Sequence, residues 1–239
     1  MPHKSPFQID IPLTDVLSYI FPKGEQPSDK PVWIDANDTS NALSPRQLLQ
    51  WVRRLGVGLD RLGIKQNEAV MMYSSNHIHV PVAYLGVAGS GRIFTGCNPA
   101  YGVNETTFQL ENTGARLVLV DPQFLDVVLE AAQKANFPRE RIFLFNDKEC
   151  KSEKGVRDWR AFIGSEQESR DWQWHRMSPE EAKTRTAVLN YSSGTTGLPK
   201  VCKSRPFLKK RSLIPSQGRD DIASEHNREY RAVHLHAQS

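Results

Sequence analysis

Three cysteines in 239 residues, Cys97, Cys150 and Cys202, are too few, too far apart and odd in number for a disulfide framework or a paired-thiol metal site. They read as reduced thiols of a cytoplasmic protein. No run of 18 apolar residues occurs, so no membrane span is expected. The N-terminus, MPHKSPFQIDIPLTD, lacks a basic segment followed by a long apolar one and does not read as a secretory signal. The last three residues, Ala237-Gln238-Ser239, form no peroxisomal address. No internal repeat is visible. An excess of one charge sign is missing too, over most of the chain. Residues 1–200 hold 23 Lys/Arg and 23 Asp/Glu, so the whole net +4 falls in residues 201–239, with 8 against 4. The body therefore shows no electrostatic footprint for a specific nucleic-acid partner.

What is present is ordinary globular composition, 38% hydrophobic and 24% charged, which is enough to bury a sizeable core. Residues 1–30 read as an irregular lead-in, and 31–35 as a short strand. Ser44, Pro45 and Gln47 then form a helix start: an N-cap, a first-turn proline and the far half of a capping box. Leu48, Val52, Leu55, Leu59 and Leu62 follow on one helical face, and Gly63 ends the helix. Apolar runs of strand length at 69–73, 92–97, 116–120 and 141–145 alternate with helices over 77–89, from Asn104 to before Gly114, and around Phe124–Ala131. Continuous apolar strands separated by helices predict an α/β fold with a mainly parallel sheet covered on both faces. The tryptophans at 159, 172 and 174 lie in a polar stretch with a short helix near 156–163 and are expected at the domain edge. Residues 186–191 return to strand.

That strand leads into Ser192-Ser193-Gly194-Thr195-Thr196-Gly197-Leu198-Pro199-Lys200. Gly194 and Gly197 let the backbone bend and bring N–H groups close to an anion. The hydroxyls of Ser192, Ser193, Thr195 and Thr196 add donors, and Lys200 adds a mobile positive charge. Open α/β sheets bind ligands at the carboxyl ends of their strands, which is where this loop starts. The spacing is not that of a Walker A loop, because only two residues separate the glycines and a valine follows Lys200. The competing reading is a Ser/Thr/Gly-rich surface linker, but the full nine residues after an apolar strand favour a polyphosphate site.

YSSGTTGLPK, residues 191–200, resembles the signature loop of the adenylate-forming (AMP-binding) superfamily, in particular acyl-CoA synthetases and 4-coumarate–CoA ligase-like enzymes. Upstream, residues 43–63 with Asn67-Glu68-Ala69-Val70 resemble that family's first long helix and following strand. Ser75-Asn76-His77 resembles its next turn, and residues 91–101 resemble a segment of its 4-coumarate–CoA ligase-like and fungal members. The match runs over roughly residues 10–200. The resemblance implies an ATP- and Mg²⁺-dependent carboxylate–CoA ligase of specialised metabolism. A carboxylate attacks the α-phosphate of ATP, and the coenzyme A thiolate then displaces AMP. It also implies that Ser192, Ser193, Gly194, Thr195, Thr196, Gly197 and Lys200 hold the β- and γ-phosphates.

The resemblance stops at Lys200. The family continues with Gly-Val, whereas here Val201-Cys202-Lys203-Ser204-Arg205 follows. The segments for adenine and magnesium, the hinge and the C-terminal catalytic lysine are not found in these residues, so no catalytic residue is assigned. Two domains are expected: residues 1–200 as an incomplete N-terminal AMP-binding domain, and 201–239 as a non-homologous, disordered basic tail from a shifted frame, a retained intron or a mispredicted exon. Such a body is expected to leave sheet edges unpaired and apolar faces uncovered, to aggregate or stay partly molten, and to lack activity. A second reading, of a different class, is a non-catalytic nucleotide-binding or regulatory fragment with a basic tail. His77 and His79, two apart, do not share a helical face and are not assigned a metal. Asp35 and Asp38 read as solvent-facing turn residues. Lys203, Lys209, Lys210 and Arg211 form a basic cluster of the kind any arbitrary tail can produce.

Overall fold

The computed structural model describes residues 12–192 and 200–205. The chain opens with helix α1 (Val16–Ile20) where an irregular lead-in was expected. Asp15 caps this helix, its carboxylate accepting from the Ser18 N–H at 2.7 Å and from the Ser18 hydroxyl at 2.7 Å. Leu17 is fully buried, so apolar docking fixes this short helix despite its polar surroundings. Strands β1 (Trp33–Ile34) and β2 (Ala42–Leu43) then pair as a small antiparallel ribbon. Asp35 and Asp38 sit in its exposed turn, each accepting from a backbone N–H two residues on.

Helix α2 (Pro45–Arg61) forms as the capping pattern predicts. The Ser44 hydroxyl accepts from the Gln47 N–H at 3.2 Å, and the Gln47 side-chain oxygen accepts from the Ser44 N–H at 2.8 Å. Leu48, Val52, Leu55 and Leu59 are completely buried, and Gly63 leaves the helix with a φ of +69°. There follow β3 (Ala69–Tyr73), α3 (Val80–Gly89), β4 (Ile93–Gly96), α4 (Val103–Thr113), β5 (Leu117–Val120), α5 (Leu125–Lys134), β6 (Ile142–Leu144) and β7 (Arg157–Asp158). Two short helices, α6 (Glu166–Ser169) and α7 (Pro179–Thr184), precede β8 (Val188–Ser192) and β9 (Lys200–Ser204).

Seven strands form one sheet in the order β7-β6-β5-β3-β4-β8-β9, parallel throughout except for the antiparallel β8–β9 pair. Side chains alternate between its faces. Val70, Met72, Leu117, Leu119, Phe143 and Phe145 join α2 and α3 in one core. Met71, Tyr73, Val118, Val120, Ile142 and Leu144 join residues of α4 and α5 in the other. A strand buried on both faces needs apolar residues at every position, which is why these runs are continuous. Each fully buried leucine or valine contributes roughly 1.5–3 kcal/mol. Close approach of α2 to its neighbours requires small residues: a Cβ on Gly58 would lie 2.7 Å from the Phe162 carbonyl oxygen.

Several further expectations are corrected. The sheet faces are not left uncovered, since helices pack on both, and among the described residues the exposed large hydrophobics are Tyr19, Val32 and Ile34. Trp159 is not at the edge but 0% exposed, and the helix expected near 156–163 is the β7 pair followed by a single 3₁₀ turn. Helix α4 starts one residue before Asn104, with the Glu105 carboxylate accepting from the Gly102 N–H at 3.1 Å. Residues 201–204, expected in an unstructured tail, belong to β9. The tail beyond residue 205, with Lys209, Lys210 and Arg211, lies outside the described residues.

Candidate functional site

The strand that delivers the signature loop is fixed in two stages. Val188 and Leu189 are buried and pair in parallel with Phe94 and Thr95 of β4, so β8 points its carboxyl end the same way as the rest of the parallel sheet. Beyond Leu189 the β4 ladder ends, and β8 continues with β9 alone, through Asn190↔Cys202, Tyr191↔Val201 and Ser192↔Lys200. The two ends of the signature, Ser192 and Lys200, are thus cross-strand partners at the carboxyl edge of the sheet. Ser193, Gly194, Thr195, Thr196 and Gly197 lie outside the described residues. The chain between the paired ends carries six backbone N–H groups, since Pro199 has none.

Tyr191 anchors the base of this hairpin. Its hydroxyl donates to the Asn112 side-chain oxygen at 2.5 Å, and its ring meets Phe108 edge-on at 6.4 Å between centroids. Burial pushes its phenol pKa up, with Tyr101 and Cys97 adding to the effect, so the hydroxyl remains a donor at neutral pH. Sequence reasoning missed Asn112. Nothing in its local pattern marks it, because its partner lies 79 positions away.

Other loops share the carboxyl edge. The chain leaves β3 toward β4 on one side and β5 toward β6 on the other, so the topological switch lies between β3 and β5. There the Gln123 side-chain amide donates to the Ser75 hydroxyl at 2.8 Å and to the Asp121 carboxylate at 3.0 Å. The Tyr73 hydroxyl donates to the carbonyl oxygens of Pro99 and Tyr101, bracing the loop between β4 and α4. Burial pushes the Tyr73 phenol up to about 12 and the Cys97 thiol up to about 12. Cys97 therefore stays a thiol and is not an activated nucleophile.

His77 and His79 also sit at this edge, where they are packing groups. The His79 ring lies 5.0 Å from Trp51 and 5.6 Å from Trp159, and burial drives its pKa down to about 3, with Arg160 and His77 adding to the effect. Among the described residues no three His, Cys, Asp or Glu side chains gather as a metal site, and no helix is long and apolar enough to cross a membrane.

The sequence profile described as AMP-binding enzyme matches residues 22–204, most of the chain, and its end coincides with the end of β9. An acyl-CoA ligase, azaF, of Aspergillus niger is 37% identical over 195 residues, covering 80% of this chain and 36% of its own length. A phenylacetyl-CoA ligase, epaB, also of Aspergillus niger, is 36% identical, with 80% of this chain and 35% of its own length covered. The chain thus spans about a third of these relatives. Among solved structures, an anthranilate CoA ligase bound to anthranoyl-AMP superposes with a TM-score of 0.70 at 20% identity, covering 85% of this chain and 36% of that one. A long-chain-fatty-acid–CoA ligase from Archaeoglobus fulgidus gives 0.70 at 19% identity, with 86% and 39% covered. These superpositions show the α/β fold of the N-terminal part of such ligases. With the family profile over most of the length and relatives above a third identical, the chain belongs to the AMP-binding enzyme family.

Proposed function

We propose that this chain supplies the polyphosphate-gripping part of an ATP-dependent carboxylate–CoA ligase. The observation that carries this reading is the pairing of Ser192 with Lys200 across β8 and β9. It brings a hydroxyl residue and a lysine to the two stems of a glycine-containing loop, at the edge of the sheet where ligands of α/β folds bind. Backbone N–H groups and hydroxyls suit the oxygens of a triphosphate, and the lysine offsets its charge. On this reading Ser192, Ser193, Gly194, Thr195, Thr196, Gly197 and Lys200 hold the β- and γ-phosphates of MgATP. They stabilise the charge that builds on pyrophosphate as the acyl carboxylate attacks the α-phosphate. Coenzyme A is the acceptor of the acyl group. The acid is an aromatic or fatty carboxylic acid of specialised metabolism, in line with the phenylacetyl-CoA and acyl-CoA ligases among the relatives.

We place the end of the AMP-binding body at Ser204. The first expectation of this reading is that the chain binds MgATP. Titration calorimetry with MgATP tests it. Lys200→Ala should weaken binding by roughly 10- to 100-fold, the range of one charge-assisted contact. Equal affinity in the two proteins would contradict the assignment.

A further inference from the structure

We propose that Asn112, in the last turn of α4, is a positioning residue for the phosphate loop, acting through the hydroxyl of Tyr191. The inference rests on the reading of residues 192–200 as a polyphosphate site and adds to it the element that holds the site's stem. On the β4 side of β8 the hydrogen-bonded ladder ends at Thr95↔Leu189. Asn190 and Tyr191, the last residues before the signature's Ser192, thus pair with one strand, β9. What replaces the missing strand is α4. Gln109 of that helix donates to the Thr95 hydroxyl at 2.8 Å and to the Gly96 carbonyl at 3.1 Å, which ties the helix to the end of β4. Phe108 and Asn112, four positions apart and so on one face of the helix, both meet Tyr191: the ring edge-on, the amide oxygen as acceptor at 2.5 Å.

The helix therefore bridges the gap that opens where β4 stops and β8 goes on. Tyr191 is the residue immediately before Ser192. A fixed Tyr191 sets the direction in which the loop leaves the sheet before any ligand arrives. Ordering that is already present in the free protein is ordering the ligand does not have to supply, and affinity rises accordingly. A hydrogen bond between two side chains 79 positions apart, on different elements, is a tertiary strut and not a local cap.

The test uses inorganic tripolyphosphate as the probe, titrated calorimetrically into the full 239-residue chain. Tyr191→Phe keeps the ring and removes the hydroxyl, and Asn112→Leu removes the acceptor. Each should weaken binding roughly 3- to 10-fold, the equivalent of one hydrogen bond. The double variant should be no weaker than either single one, because the two groups act as a pair. Asn112→Gln, which keeps a carbonyl acceptor, should recover part of the loss at an unchanged unfolding midpoint. Wild-type affinity in both single variants, or fully additive losses, would overturn the proposal. If the wild-type chain binds no tripolyphosphate, the polyphosphate reading fails for this chain, and amide hydrogen exchange decides the positioning claim by itself. Faster exchange at residues 190–192 and 200–202 in both variants, with β5 and β6 unchanged, supports the strut. Unchanged exchange at the hairpin rules it out.

Discussion

Replacing Arg92 by methionine should be among the most damaging single changes in the body of the chain, although the residue carries no chemistry. Its side chain is 5% exposed. Its guanidinium donates to the Ile64 carbonyl from Nε at 2.8 Å and from Nη2 at 2.6 Å, and to the Ser90 hydroxyl at 3.0 Å. It also pairs with the Asp60 carboxylate at 2.5 Å. Methionine fills much of the volume but leaves the Ile64 carbonyl and the Ser90 hydroxyl without this partner inside the fold. One orphaned buried acceptor costs about 1–3 kcal/mol, and the Asp60 carboxylate left behind is half-exposed, so losing its ion pair adds little. Asp60→Asn perturbs the same network from its wet side. Asp60 is 54% exposed and also accepts from the Trp172 indole N–H at 2.7 Å, so the change forfeits one accepted bond and a screened ion pair, about 1–2 kcal/mol. Urea unfolding of both variants, followed by tryptophan fluorescence at constant m-value, measures the difference. Equal losses, or a larger one for Asp60→Asn, would refute the assignment of the cost to the orphaned backbone end of the network.

Gly58→Ala sets a new Cβ 2.7 Å from the Phe162 carbonyl oxygen and 2.8 Å from the Ile163 Cα, so backbone must move, and the same unfolding experiment should show a loss of about 1–3 kcal/mol. Leu55→Ala removes a completely buried side chain that packs against Gly86 and should cost about 2–5 kcal/mol. His79 is held neutral by burial, with its pKa down to about 3 against an unfolded value near 6.5, so the unfolded chain binds the extra proton between those values. Stability should therefore fall as pH drops below about 6.5, by up to about 1.4 kcal/mol per pH unit from this group, and His79→Gln should show a shallower pH dependence over pH 6.5–4.

Much of the fold was legible in local pattern. Ser44 with Gln47 and the spacing from Leu48 to Leu59 announce α2, because capping and a one-sided apolar face are properties of neighbouring residues. The unbroken apolar runs of β3, β5 and β6 announce strands buried on both faces. What escaped was decided by distant partners. Trp159 looked like an edge residue because its own surroundings are charged. It is buried because Trp51, Phe145 and His79 converge on it from three other parts of the chain. Strand β9 escaped for the same reason. Lys-Val-Cys-Lys-Ser carries no strand signal of its own, and only the exposed ladder of β8 makes it one. The signature from Ser192 to Lys200 was legible as a candidate anion loop, since glycines, hydroxyls and a lysine together suit one. The strut from Asn112 to Tyr191 was not, since an asparagine in a helix has no local signature of tertiary contact.

The central claim is that residues 192–200 grip the phosphates of ATP. The most direct measurement is a backbone amide spectrum of isotopically labelled chain, followed as MgATP is added. The account predicts saturable shifts concentrated at residues 192–198 and 200 and lost in Lys200→Ala. Saturable shifts centred elsewhere on the chain, or none at all, would contradict it.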